Sequence, residues 1–292
     1  MLKFAHIILI PFTGVGLNGG FRGDEWFAHR IKIFKEYTAK SLLNQSNRQF
    51  LLWLTFRPQE EGHPYLKGLG TWLGEQKLPT LMTFEGLPYH DDKFSRGIKN
   101  KLWNFARSIR QSYRERKPVF IQAFFELFTD KNKTLPQRLE KSLFKIQSIQ
   151  PFRDTSYIFL SRIDSDDMFH KDYAKKVQEF YPFEGAIVCK NGYIYNAQTK
   201  ELAEWNPETN PPFHTIIMRS STFFNPIAHI QFYNGYKSHE DIPKVAKVLK
   251  VLEGNNYCVT VHGKHISTTF NHPFKGKSII ENKSSVLTDF GV

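Results

Sequence analysis

Three aspartates, Asp164, Asp166 and Asp167, fall within four positions of the stretch SRIDSDDMF, residues 161–169. They follow YIFL, an apolar run that reads as a buried strand. Like charges this close repel, so the cluster is built to hold something positive. Carboxylates at a strand end are hard oxygen ligands and suit a cation such as Mg²⁺ or Mn²⁺. Two uses fail on spacing. A calcium loop of the EF-hand kind starting at Asp164 needs Gly at its sixth position and Glu at its twelfth, where the chain has Phe169 and Lys175. A haloacid-type phosphatase needs Thr or Val where Met168 stands. A two-metal nuclease or polymerase stays open on charge, but it requires further carboxylates that the sequence does not place. Asp166 or Asp167 capping the helix KDYAKKV explains one aspartate and not three.

A second stretch with chemical potential is the glycine loop TGVGLNGGFRGD. Gly14, Gly16 and Gly19 match G-x-G-x-x-G after a strand, the dinucleotide fingerprint. The helix should begin inside that fingerprint, yet Gly20, Phe21, Arg22 and Gly23 intervene. The second strand ends Thr55–Phe56–Arg57 where an acid should bind the ribose. Arg57 suits a 2′-phosphate, which keeps an NADP-dependent oxidoreductase as an alternative. The other reading is a flexible loop beside a phosphorylated ligand, with Arg22 as its charge.

These residues need elements to position them. HIILIPF reads as a first strand, residues 25–45 as a helix with Asp24 as N-cap, and QFLLWLTF and KLPTLMTF as further strands. Helices are expected near 94–116 and 136–149, then the strand SYIFLSRID and the helix KDYAKKVQEFYPF. GAIVCKNGYIYN reads as two strands around a Lys190–Asn191–Gly192 turn. A helix near 241–253 and a last strand in NYCVTVHGKHIST complete the chain. Strands alternating with helices predict an α/β fold: a mostly parallel central sheet with helices on both faces, binding ligands at the carboxyl ends of its strands. No repeat or long linker divides residues 1–292, so one domain is expected, with residues 85–150 as a central basic helical insertion.

The chain carries 40% hydrophobic and 23% charged residues, a soluble composition. Cys189 and Cys258 have no paired spacing, which excludes a disulfide framework or cysteine-rich zinc site. The apolar start is short, contains His6 and lacks a cleavage pattern, and nothing approaches the roughly 18 apolar residues of a membrane span. A cytoplasmic protein is expected. Net charge is +12, concentrated in KFSRGIKNKLWNFARSIRQSYRERK, residues 93–117. Leu102, Phe105, Ala106 and Ile109 recur there at helical spacing. That helix is either a solvated face or a peripheral contact with anionic membrane at the inner face. A non-enzymatic polyanion-binding protein, contacting nucleic acid or a membrane surface, is the alternative that the charge supports.

The wider chain resembles the GT-A glycosyltransferases, in particular the bacterial family of rhamnosyltransferases. The resemblance is carried in order by the first strand with Thr13 and the Arg22 loop, RIKIFKEYTAKSLLNQSNRQFLLWL, SRIDSDDMFHKDY, SHEDIPKV and VHGKHISTTF. It covers about half the chain. It implies transfer of a sugar, rhamnose being one candidate, from a UDP-, GDP- or dTDP-linked donor. The acceptor would be a saccharide or lipid-linked, in surface polysaccharide assembly, with no nucleic-acid partner. By this resemblance Asp166 is the main ligand of Mn²⁺ or Mg²⁺. Asp164 faces the ribose or shares the metal, and Asp167 bonds sugar hydroxyls or orients its neighbours. Arg162 pairs with the nucleotide or nearby carboxylates, and Thr13 and Arg22 line the donor site. A late histidine completes the metal shell, His262 or His265, with His262 favoured. In SHEDIPKV, Asp241 is the expected base, with Glu240 second. A helix cap is the competing reading for Asp241, because Ile242–Pro243 follow it.

Overall fold

The structure, a computed structural model, describes residues 3–13, 24–57, 60–85, 135–150, 152–208, 210–233, 236, 239–263, 268–278 and 281–292. The glycine loop with Arg22, the basic stretch 93–117 and His265 lie outside the described residues.

Strand β1 (Phe4–Pro11) runs through the middle of the sheet and is buried along almost its whole length. Ile8 and Ile10 enter one core, while Ala5, Ile7 and Leu9 enter another on the opposite face. A strand covered on both faces has no polar face, so its sequence is an unbroken apolar run. His6 is the exception, and its polar atoms are satisfied. Gln178 Nε2 donates to His6 Nδ1 at 3.1 Å, which leaves Nε2–H for Ser161 Oγ at 2.7 Å.

Parallel to β1 run β2 (Leu51–Thr55) and β4 (Tyr157–Arg162), and β3 (Thr80–Thr83) runs parallel to β2. The helical run between β1 and β2 consists of α1 (Asp24–Ile33), a π-helical turn (Phe34–Thr38) and α2 (Ala39–Leu43). Helix α3 (Pro64–Glu75) precedes β3, and α4 (Leu135–Gln147) precedes β4. The second half adds β5 (Met168–Phe169), α5 (Tyr173–Gln178), β6 (Gly185–Asn196), β7 (Glu201–Trp205) and β8 (His214–Arg219). Helices α6 (Ser220–Phe224), α7 (Pro226–Phe232) and α8 (Ile242–Val245) follow, then β9 (Leu249–Val261), β10 (Lys275–Ser278) and α9 (Lys283–Thr288).

The sheet order is β10-β7-β6-β8-β4-β1-β2-β3, with β9 pairing β5 and β6 beside this path. The α/β class agrees with the sequence. The parallel half lies as expected, and from β4 across β8, β6, β7 and β10 the neighbours are antiparallel. Among the described residues no helix is long and apolar enough to cross a membrane.

Two local readings are corrected. The Lys190–Asn191–Gly192 segment is not a turn, because Gly185–Asn196 is one strand whose pairing with β9 shifts register beside Asn191. Gly192 is there because β9 crosses it closely: a Cβ would stand 2.5 Å from the Tyr257 carbonyl oxygen. The helix read at 241–253 is confined to Ile242–Val245, and from Leu249 the chain is strand. Its valines and leucines at 248, 249, 251 and 252 fit a pleated edge as well as a helix face.

Candidate active site

Strand β4 continues one residue past its end, with Ile163 N–H donating to the Leu9 carbonyl at 3.2 Å. The chain then turns, and the Asp167 N–H reaches back to the Asp164 carbonyl at 3.3 Å. The turn sets all three carboxylates at the carboxyl edge of the parallel half. Asp166 and Asp167 are buried, while the Asp164 side chain keeps a third of its surface.

The distant partner arrives through strand register. Met168 faces Cys258 and Phe169 faces Tyr257 in the antiparallel β5–β9 pair. Continued outward, that register lays Thr260 and His262 against the aspartates. The Thr260 N–H donates to Asp167 Oδ1 at 3.0 Å, and His262 Nε2 lies 3.2 Å from Asp166 Oδ2. His262 is itself buried, and its Nδ1 lies 3.4 Å from His29 Nε2. The structure therefore brings Asp166 and His262 together.

Helix α1 delivers a residue that the sequence reading missed. Arg30 donates from Nη1 to Asp166 Oδ2 at 2.6 Å and from Nε to Ser165 Oγ at 2.8 Å. The same Nη1 lies 3.5 Å from His262 Nε2. Sequence alone gave no sign of it beyond a basic residue near the start of the first helix.

Arg162 organises the other side. Its Nη2 pairs with Asp164 Oδ1 at 3.2 Å, and its Nη1 donates to the Tyr236 hydroxyl at 3.3 Å. Its charge also bears on buried His214 and half-buried His239. Burial first, then Arg162 and other neighbours, hold His214 well below the ordinary range. Burial also lowers His239, helped by Arg162 and opposed by a hydrogen bond to the Asn210 carbonyl. Burial raises the Tyr236 phenol, with Asp164 and Asp241 adding to the rise and Arg162 opposing it.

Asp241 thus shares the surroundings of Tyr236 with Asp164. It ends a 3₁₀ turn, His239–Asp241, and leads into α8. Its carboxylate is buried and pairs with Lys244; it makes no capping hydrogen bond to the helix. Glu240 beside it is exposed.

At the ends of β1 and β2, Thr13 is buried and its hydroxyl donates to Glu60. Glu60 Oε2 also accepts from the Arg57 N–H at 2.9 Å. Among the described residues the second oxygen, Oε1, is buried with no hydrogen-bond partner. A lone buried carboxylate oxygen is costly and points to a missing donor. Glu60 stands three residues beyond Arg57.

Burial, then the charges of Asp166 and Asp164, raise the Asp167 carboxyl well above the ordinary carboxylate range. A cation relieves such crowding. Among the described residues no group of three or more His, Cys, Asp or Glu side chains is arranged to hold a metal. The Asp166–His262 pair still fits one. For bonds of about 2.1 Å at right angles, adjacent ligand atoms stand about 3 Å apart, and these stand at 3.2 Å. Mg²⁺ and Mn²⁺ take remaining positions from phosphate and water.

No family model matches the chain, and no curated protein matches it. Among solved structures, S. aureus TarS 1-349 in complex with UDP aligns at 12% identity with a TM-score of 0.40, covering 89% of this chain and 61% of that one. The same TarS fragment in a second structure gives 13% identity and a TM-score of 0.39. A proposed nucleotide-diphospho-sugar transferase from Desulfovibrio desulfuricans G20 gives 10% identity and 0.36, covering 89% and 81%. The chain spans about three-fifths of the TarS structures' length. Likenesses this faint assign no activity, and the functional case rests on the site itself.

Proposed function

We propose that this chain is a glycosyltransferase of GT-A type that moves a sugar from a nucleotide diphosphate donor to a hydroxyl acceptor. The observation that carries the reading is the buried Asp166–His262 pair at 3.2 Å, at the carboxyl edge of a parallel strand. The resemblance of five ordered sequence segments points the same way.

The leaving group of such a donor is a diphosphate, whose charge must be neutralised as the anomeric C–O bond breaks. Asp166 and His262 would hold Mn²⁺ or Mg²⁺ with the diphosphate and water, and Asp164 would face the ribose. The cation supplies charge neutralisation for the leaving group. Arg162 fixes Asp164, and Asp167 fixes the end of β9 through Thr260. Thr13 and Glu60 would line the nucleoside end. Asp241, paired with Lys244 instead of capping its helix, is the base that takes the acceptor proton as the new C–O bond forms. Glu240 is the second choice. Rhamnose is the first sugar to test, with a saccharide or lipid-linked acceptor of surface polysaccharide.

Calorimetric titration with UDP, GDP and dTDP, with and without Mn²⁺, tests this. One nucleotide is expected to bind in a Mn²⁺-dependent way, with Asp166→Ala losing roughly tenfold or more in affinity. Asp241→Asn is expected to keep that binding and lose transfer. Failure of all three nucleotides to bind, alongside salt-sensitive binding of DNA or anionic vesicles, would sink the reading in favour of a polyanion-binding protein.

A further inference from the structure

We propose that the Arg30 guanidinium is the resident cation of this site in the nucleotide-free protein, and that a divalent cation enters by displacing it from Asp166. The inference rests on the transferase reading for the identity of the incoming group, and on geometry alone for the competition.

Arg30 Nη1 stands 2.6 Å from Asp166 Oδ2 and 3.5 Å from His262 Nε2, the two atoms that fit a metal edge. A metal bonded to that oxygen on the histidine side would lie within a few ångströms of the guanidinium. Two positive charges so close in a half-buried site repel strongly. The two occupants therefore exclude one another.

The site needs the arginine while it is empty of other cations. Asp166 and Asp167 are both buried and Asp164 adjoins them. A buried carboxylate without a counter-charge is strongly destabilising, so a chain lacking Arg30 would carry that penalty until ligand arrived. Ser165 Oγ takes the Nε–H at 2.8 Å and orients the planar fork.

The arginine is also free to leave. Its side chain keeps 18% of its surface. It stands near the end of α1, and its departure from Asp166 would take a change of side-chain rotamer. Asp166 alone would not choose between the two ions. A diphosphate adds its own oxygens to the divalent cation, which shifts the balance toward the metal only when nucleotide is present. The consequence is that metal binds poorly alone and well together with nucleotide.

Mn²⁺ binding to the nucleotide-free protein tests this, measured by electron paramagnetic resonance on wild type, Arg30→Gln and Arg30→Met. Both variants are expected to bind Mn²⁺ about tenfold or more tightly than wild type, and adding Asp166→Asn is expected to abolish the gain. Folded variants that bind Mn²⁺ no better than wild type overturn the proposal. In the wild-type protein, the Arg30 Nε–H resonance is expected to change when Mg²⁺ and the binding nucleotide are added together. A resonance that stays in place overturns the proposal without any mutation. If no nucleotide binds wild type yet the variants gain Mn²⁺ affinity, the transferase reading fails and the competition stands. If nucleotide binds with Mn²⁺ and the variants gain nothing, the reverse holds.

Discussion

Asp167 and Asp166 are neighbours in sequence with different work. Asp167 is turned to the Thr260 N–H, and burial with two adjacent carboxylates raises its pKa. An Asn there keeps an acceptor for Thr260 and removes a charge. Asp167→Asn is therefore expected to raise the melting temperature of the ligand-free protein, by about 2–4 °C for each kcal/mol recovered. Nucleotide binding with Mn²⁺ is expected to weaken in the same variant. A lower melting temperature in differential scanning calorimetry would mean that the charge on Asp167 is well compensated in the free protein. The same balance explains why the sequence exposed this site: a buried acid crowded by two others has to be kept for another reason.

The elements behind the aspartates are fixed mainly by backbone contacts. The helical run from Asp24 to Leu43 ends at Gln45, a buried side chain that ties it to the segment beyond the site. Gln45 Nε2 donates to the His170 carbonyl at 2.8 Å, and its Oε1 accepts from the Ala174 N–H at 3.0 Å. Ser41 Oγ accepts from the Phe169 N–H at 3.2 Å. Gln45→Ala takes the acceptor from the buried Ala174 N–H, while the His170 carbonyl keeps the Tyr173 N–H at 2.9 Å, so it is expected to cost about 1–3 kcal/mol in urea unfolding. A loss under 1 kcal/mol, roughly the range of an ordinary surface change, would show that other groups hold this junction. The π-helical turn lies between Arg30 and this anchor, and by its wider winding sets the phase between them. The sequence reading gave one uninterrupted helix here, because a π turn has no residue signature. Strands β1, β2 and β4 were legible because burial on both faces writes itself as apolar runs. Strand β6 was not, because Lys190–Asn191–Gly192 has turn chemistry and only the crossing Tyr257 explains the glycine. Asp166 was legible from its cluster and His262 from resemblance. Arg30 and Glu60 were not, since each acquires meaning only from a neighbour brought by the fold.

At the scale of the molecule, three buried neutral histidines set the response to acid. Burial lowers His6 to about 3 and His229 to about 4, and His214 also lies well below its ordinary range. Each binds a proton in the unfolded chain near pH 6.5 and resists it when folded. A lowered histidine contributes stability above its unfolded pKa and loses it as pH falls toward the folded value. Each group should remove about 1.4 kcal/mol per pH unit below 6.5. Stability measured by urea unfolding is therefore expected to fall between pH 6.5 and 5, before most carboxylates titrate. A flat profile across that window would show that these side chains take up protons without cost. His6→Gln should flatten part of the slope, provided its bonds to Ser161 and Gln178 are kept.

Strand β9 ends one residue before His262 and pairs with β5 through only two residues. That pairing gives the gene an uneven tolerance. Along a strand, side chains alternate between faces, so the loss of a single codon between Asn255 and Val261 would leave composition almost unchanged and turn His262 to the other side. Substitutions in this stretch erode the site by degrees, whereas a one-residue deletion removes it at once. Descendants of this chain should accordingly vary in the letters of β9 and keep their number.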